Sequence, residues 1–264
     1  MPIPDFALPA LLSGALIGFV LALVGGGGSI LAVPLLVYFV GVGQPHMAIG
    51  TAAVAVTLNA VTGLVGHARA GNVRWACAAS FALAGMVGAA AGAEAGKAFD
   101  GDRLLALFGV LMVVVGALML RRRGGGENPD VRMTRATARP LLRRIVPTGF
   151  LVGVMAGFFG IGGGFLIVPG LVFATAMPVS LAIGSSLLVV TALGATTAVS
   201  YALSGLVDWV LIVWMLAGGI GGTLLGRLAG RKLANHKRIL ELGFAAVVIA
   251  IGLGIAAEGI AKLV

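Results

Sequence analysis

The sequence predicts an all-α integral membrane protein made of two inverted repeats, each a glycine-broken helical hairpin followed by about three transmembrane helices. Three observations carry this: the hydropathy, an internal duplication and the placement of charge. Of the 264 residues, 59% are hydrophobic and 10% charged, with a mean hydropathy of +1.11; a soluble domain averages about 25% charged residues. The segment Val24-Gly25-Gly26-Gly27-Gly28-Ser29-Ile30-Leu31-Ala32-Val33-Pro34 returns as Phe159-Gly160-Ile161-Gly162-Gly163-Gly164-Phe165-Leu166-Ile167-Val168-Pro169. Ala48-Ile49-Gly50-Thr51 returns as Ala182-Ile183-Gly184-Ser185, and Gly71-Asn72-Val73-Arg74-Trp75 as Gly205-Leu206-Val207-Asp208-Trp209. The offset is 135 at the prolines and 134 at the tryptophans. A match of that length at a nearly constant offset is a duplication. In an apolar chain it points to a transporter whose substrate sits where the repeats meet.

The elements follow in order. Residues 1–264 form one membrane domain, divided into repeat 1 (8–120), a basic linker (121–144) and repeat 2 (145–257). The first apolar segment, 7–24, has no basic residue before it and runs straight into glycines, so it is expected to be retained rather than cleaved as a signal peptide. Segment 29–41 would rise only about 19 Å as a helix. Segments 7–24 and 29–41 therefore read as two limbs of a hairpin meeting at Gly25–Gly28, and 147–160 with 164–176 as its copy. The runs 45–68, 75–97, 103–120, 179–204, 209–230 and 239–257 are each near the ~20 residues that span a bilayer. Five crossings per repeat satisfy the same charge pattern.

Charge sets the orientation. The net charge of +9 is concentrated: Arg121, Arg122, Arg123, Arg132, Arg135, Arg139, Arg143 and Arg144 all lie in the linker, beside Gly124–Gly126 and Pro129. Basic residues flanking membrane helices mark the cytoplasmic side. Arg231, Lys232, Lys237 and Arg238 crowd the turn before the last helix. Placing both basic stretches inside makes each repeat cross the membrane an odd number of times, which inverts the second relative to the first and leaves both termini outside. The linker suits anionic lipid rather than nucleic acid.

The chemistry that this composition permits is narrow. A lone cysteine, Cys77, excludes an internal disulfide and any cysteine metal cluster. No Gly-Lys-Ser/Thr follows either glycine run, so neither is a phosphate-binding P-loop. No nucleophile–base pair or metal-ligand cluster supports an enzyme, and no cofactor is expected. What remains is backbone. A glycine run inside an apolar helix breaks it and frees N–H groups, which in lipid survive only when buried in protein or lining a polar cavity. With the dipole of the following helix they form an anion site, assigning Gly26, Gly27, Gly28, Ser29, Gly162, Gly163 and Gly164 to substrate binding. Polar side chains within the helices extend the candidate lining: Thr57, Asn59, Thr62, Thr191, Thr196 and Tyr201. Thr51 and Thr62, eleven residues apart, share a helix face, with Asn59 close to it. The competing structural reading is that such hydroxyls bond back to their own helix. His67 is the candidate for proton coupling, since an imidazole titrates near neutrality; His46 reads as a solvated loop-edge histidine. The glycine ladders 85, 88, 92, 96 and 219, 222, 226, 230 read as close helix packing, and Glu94 and Arg227 as interfacial.

The doubled Gly-rich-x-x-x-Val-Pro motif and the stretch His67-Ala68-Arg69-Ala70-Gly71-Asn72-Val73-Arg74-Trp75 resemble the TauE/SafE sulfite-exporter family of bacterial inner-membrane permeases, over about residues 8–257 with the linker excepted. The resemblance implies movement of small sulfur-containing or organic anions such as sulfite, sulfonates or sulfoacetate, without ATP hydrolysis. Family members often carry an acid at both positions occupied here by Arg74 and Asp208. The expected partners are a small anionic substrate of the sulfite or sulfonate class, the lipid bilayer and a second copy of the chain, with no nucleic acid. The alternative function is a channel or carrier for a cation or neutral solute, because broken helices also present carbonyls.

Overall fold

The computed structural model describes residues 6–121, 131, 133–134, 137–160, 164–232 and 237–263. Ten helical elements occur in them, five per repeat. In the first repeat these are α1 (Ala7–Val24), α2 (25–40), α3 (Pro45–Arg69), α4 (Trp75–Lys97) and α5 (Gly101–Arg121). The second contains α6 (Ala138–Phe158), α7 (Gly164–Thr175), α8 (Val179–Leu203), α9 (Trp209–Lys232) and α10 (Lys237–Leu263). Seven of them (α3, α4, α5, α6, α8, α9 and α10) hold windows long and apolar enough to cross a membrane. Leucines and valines such as Val213, Leu224, Leu225 and Leu228 are exposed on their outer faces, the surface that lipid would cover.

The hairpins differ from the expected pair of half-length limbs. α6 starts at Ala138, seven residues inside the expected linker, and is 21 residues long, enough to span. α1 has 18 residues and lies along nearly the whole of α9, from Gly14 against Met215 to Leu23 beside Gly230. The short limbs are the second ones. α7 has 12 residues. α2 is mixed: a 3-10 run at Gly25–Leu31, a single α turn at Ala32–Pro34, then a wider π turn at Leu35–Val40. Four consecutive glycines favour the tight run because they lack the side chains that eclipse at i and i+3. Pro34, at the junction of the α and π turns, has no N–H to donate back into the run.

Partners are exchanged between the repeats. α1 packs on α9, and its counterpart α6 packs on α4. Glycine makes this possible. Gly88, Gly92 and Gly96 of α4 lie against the backbone oxygens of Phe150, Val154 and Phe158, while Gly153 and Gly157 of α6 answer against Gly85 and Ala89. Gly18 of α1 meets Gly219, and Gly218, Gly222 and Gly226 of α9 meet Leu11, Ala15 and Phe19. A Cβ at any of these glycines would overlap backbone, which cannot give way. The ladders read from sequence are thus packing seams, and each joins one repeat to the other. Residue numbers rise together along both seams, so the paired helices run parallel.

The remaining equivalents pair with each other, α3 with α8 and α5 with α10. Here the order is reversed: Gly50 faces Tyr201, Gly194 faces Thr57, and Gly63 faces Leu187. Gly109 similarly faces Gly252, Gly116 faces Ala245, and Gly259 faces Ala106. Both pairs are therefore antiparallel.

The turns carry the duplication to single residues. Gly71 and Gly205 both adopt positive φ (71° and 70°) after α3 and α8. Gly41 (φ 84°) ends α2, and its counterpart Ala176 (φ 55°) ends α7. An L-residue with a Cβ pays about 1 kcal/mol there. Gly41→Ala is expected to lower stability by about that amount, since no atom lies near enough to add a clash. Ala176→Gly should raise it by about half as much, because glycine's freedom in the unfolded chain offsets part of the relief. Melting of the detergent-solubilised variants checks both; two unshifted midpoints would mean the turns relax without strain.

Candidate functional site

The first glycine break packs against the helix that follows the second. The 3-10 run of α2 packs against α1, α7 and α8, and α7 begins at Gly164, the last glycine of the second break. Gly28 folds back on α1, where a Cβ would meet the Leu21 nitrogen and the Ile17 oxygen. Gly28 is therefore required for the hairpin to close, whatever else it does. Gly26 and Gly27 lie in the same 3-10 run. Ser29 does too, fully buried, two residues before Leu31, which stands at the helix N-cap without a side-chain cap. Gly162 and Gly163 lie outside the described residues.

The polar side chains do not form one lining. Thr57 Oγ1 donates to the Ala53 carbonyl (2.6 Å), Thr62 to Asn59 (2.7 Å), Thr191 to Leu187 (2.8 Å) and Thr196 to Ala192 (2.9 Å). Each hydroxyl hydrogen is already committed to its own helix, so these oxygens offer lone pairs rather than donors. They suit a water or cation better than an anion. Thr57 packs at the α3–α8 crossing against Gly194, whereas Asn59, two residues on, faces Gly219 of α9. Asn59 is fully buried, and neither side-chain atom has a hydrogen-bond partner among the described residues. An unpaired buried amide costs roughly 1–3 kcal/mol, so Asn59 is the strongest side-chain candidate for a bound polar species. Its counterpart is Leu193; the amide belongs to one repeat only.

Thr51 and Ser185 reveal a different use of the duplication. Thr51 Oγ1 accepts from the Asp208 backbone N–H at 2.9 Å, and Ser185 Oγ accepts from the Arg74 N–H at 2.9 Å. Each hydroxyl on one repeat's third helix thus holds the start of the other repeat's fourth helix. Gly50 and Gly184, each one residue earlier, let the Leu206 and Asn72 carbonyls approach. Asp208 also caps α9, its Oδ1 accepting from the Val210 and Leu211 N–H groups at 2.9 and 3.1 Å. Arg74, at the N-cap of α4, makes no side-chain cap. The shared role of positions 74 and 208 is accordingly a backbone one, and it tolerates opposite charges.

Tyr201 and His67, equivalent by the offset, mark opposite ends of the antiparallel α3–α8 pair. The Tyr201 ring is fully buried against Gly50, its hydroxyl lacks a partner among the described residues, and the Lys97 ammonium lies 6.0 Å from the ring centre. Lys97 also bonds Glu94 (2.8 Å) and Ser204 Oγ (2.9 Å), and Ser200 Oγ donates to Glu94 (2.8 Å). At the other end the His67 ring lies beside the Ala22 backbone, and Nδ1 is buried without a partner among the described residues. His46, by contrast, donates from Nε2 to the Phe99 carbonyl at 3.1 Å. Sequence reasoning missed the cations at these two ends because Lys97 and Arg227 sit near helix termini, where the default is an interfacial side chain.

The two ends are not identical. A cleft of about 320 Å³ opens at the Tyr201 end, lined by Phe6, turn 41–44, Met47, Asp208 and Leu211. Val42 in that turn is half-buried, whereas its counterpart Met177 is fully buried.

Comparison with known proteins agrees with this architecture. The family model described as "Sulfite exporter TauE/SafE" matches residues 10–255. A "Probable membrane transporter protein" of Xylella fastidiosa is 48% identical over 96% of this chain and 95% of its own length. The "Probable membrane transporter protein YunE" of Bacillus subtilis is 27% identical over 94% and 96%, and a "Probable membrane transporter protein" of Haemophilus influenzae is 30% identical over 76% and 75%. No solved structure matches the chain. With ten apolar helices among its described residues and the doubled glycine break in its sequence, the chain belongs to the sulfite exporter TauE/SafE family and is a multi-pass membrane transporter.

Proposed function

We propose that the protein is a secondary transporter, working as an exporter, of a small anion such as sulfite, a sulfonate or another organosulfur anion, bound between the two glycine breaks. The observation that carries this reading is the packing of the 25–31 run against α7, the helix that follows the second break and is described from Gly164 onward. A helix start offers free N–H groups and the positive end of a dipole. The threonine hydroxyls bond their own helices, so backbone donors and Asn59 are left to face the substrate. The antiparallel pairing of α3 with α8 and of α5 with α10 supports inverted repeats, because a two-fold axis relates touching equivalents in opposite directions only when it lies in the membrane plane. Inversion supplies the two alternative arrangements that access from either side requires. The linker 121–144 faces the cytoplasm of the bacterial inner membrane in this scheme.

Flux into proteoliposomes tests the reading. Sulfite or a sulfonate is expected to move, and ammonium and divalent cations are not; the reverse result would establish the cation or neutral-solute alternative. On the same vesicles His67→Ala should lower flux modestly and keep its pH dependence, because sulfite itself carries a proton near neutrality. Loss of that dependence with binding intact would make His67 the coupling group. Labelling of a cysteine at position 135 from the outer face would overturn the orientation.

A further inference from the structure

Arg227 lies within the apolar α9, five residues before the helix ends, and has no acidic partner among the described residues. Near a helix end a long basic side chain ordinarily reaches outward to the interface, and this one instead lies against a neighbouring helix. Arg227 is also seated. Its guanidinium lies against Gly66 of α3, so that a Cβ at position 66 would come within 2.5 Å of Cζ, 2.6 Å of Nη2 and 2.8 Å of Nε. A larger residue at 66 would push the guanidinium aside, so the notch and the side chain's direction toward α3 go together. The His67 ring next along the chain is within electrostatic reach of the guanidinium, with its buried Nδ1 unpartnered among the described residues. Arg69 and Arg74 lie at the same end and add positive charge there.

The opposite end repeats the arrangement by other means. There the fourth helix of the other repeat lays Lys97 over Tyr201, the residue equivalent to His67. Lys97 comes from position 97 of α4, whereas Arg227 corresponds to Ala93. A cation is thus placed at each end by residues that the duplication does not relate. Lys97 is held in a network with Glu94, Ser200 and Ser204; Arg227 is not.

We propose that Arg227, seated in the Gly66 notch beside His67, is an oxyanion-binding residue at the His67 end of the transport path, receiving the anion before or after it occupies the glycine breaks. This inference rests on the anion-transport reading. The guanidinium recognises the paired oxygens of a sulfur oxyanion by two parallel N–H···O bonds, which an ammonium cannot reproduce.

The test is equilibrium binding to the full-length purified protein by calorimetry, with sulfite, sulfoacetate, sulfate and phosphate as probes, alongside flux of the same anions. Arg227→Gln is expected to weaken binding about tenfold or more, the size of a lost charge-assisted hydrogen bond. Arg227→Lys should recover only part of it. Unchanged melting of both variants keeps the comparison free of folding effects. If Gly66→Ala displaces the guanidinium, its affinity should fall alongside that of Arg227→Gln. Wild-type affinity in Arg227→Gln overturns the inference while leaving the transport reading intact. Binding that depends on Arg227 without any flux upholds the inference and removes the transport reading. No binding of any probe by the wild type overturns the inference outright.

Discussion

Gly222→Leu is expected to abolish the folded protein, and Gly221→Leu to leave it untouched. The two positions are adjacent in sequence and on the same helix, yet a Cβ at 222 would overlap the Ala15 backbone, while one at 221 meets nothing within 4 Å. Forcing α1 off α9 opens the seam along its length, because helices in lipid are held by close packing rather than by water exclusion. Local overpacking in a core costs about 1–3 kcal/mol. Losing a whole helix seam exceeds this and approaches the 5–15 kcal/mol that holds a typical domain together. Gly88→Leu should behave alike in the other seam, where the Phe150 carbonyl fills the space. Size-exclusion profiles and melting in detergent read the result; a monodisperse Gly222→Leu with wild-type melting would show that α1 does not pack there.

Asn59→Leu is expected to move stability and transport in opposite directions. Leu193 already occupies the equivalent site in the second repeat, so a branched apolar side chain is compatible with this backbone. Removing a buried amide whose atoms lack partners among the described residues relieves about 1–3 kcal/mol, and melting should rise. If the amide serves a bound anion or its water, flux should fall about tenfold or more at the same time, the equivalent of one lost hydrogen bond. Raised stability with full flux would make Asn59 a packing residue. Lowered stability would mean that the amide has a partner in the resting protein.

Much of this architecture was legible in the sequence, for identifiable reasons. Span lengths come from bilayer thickness, so the run 75–97 coincides with α4 and 179–204 ends one residue beyond α8. Glycine spacing gave the ladders, because close approach needs absent side chains. Their partners were not legible. Nothing local in Gly88 or Gly92 says that the opposing backbone belongs to α6 of the other repeat, since that depends on how the halves interlock. The extent of the first hairpin limbs was missed for a related reason: Arg139, Arg143 and Arg144 resemble linker but fall on the first turns of α6, where they can reach the membrane surface. The threonines were read from their helix face, and face fixes direction but not whether a hydroxyl bonds back to its own turn. Arg227 was invisible as a site residue because its meaning lies in Gly66, 161 positions away.

The exchanged seams have a consequence for how the chain is made. α1 enters the membrane with its glycine face bare, and its partner α9 begins at residue 209. At about 5–20 residues per second, synthesis leaves that face waiting on the order of 10–40 s. Until then the first five helices cannot complete their own packing, so the ribosome-bound half is a client for whatever shelters unpaired helices in the bilayer. The same geometry describes an ancestor. In the inverted arrangement proposed above, a chain of half this length would build these seams by interlocking with a copy of itself inserted the other way up. In that arrangement, joining the two copies through the Arg-rich linker fixes the opposed insertion within one gene product.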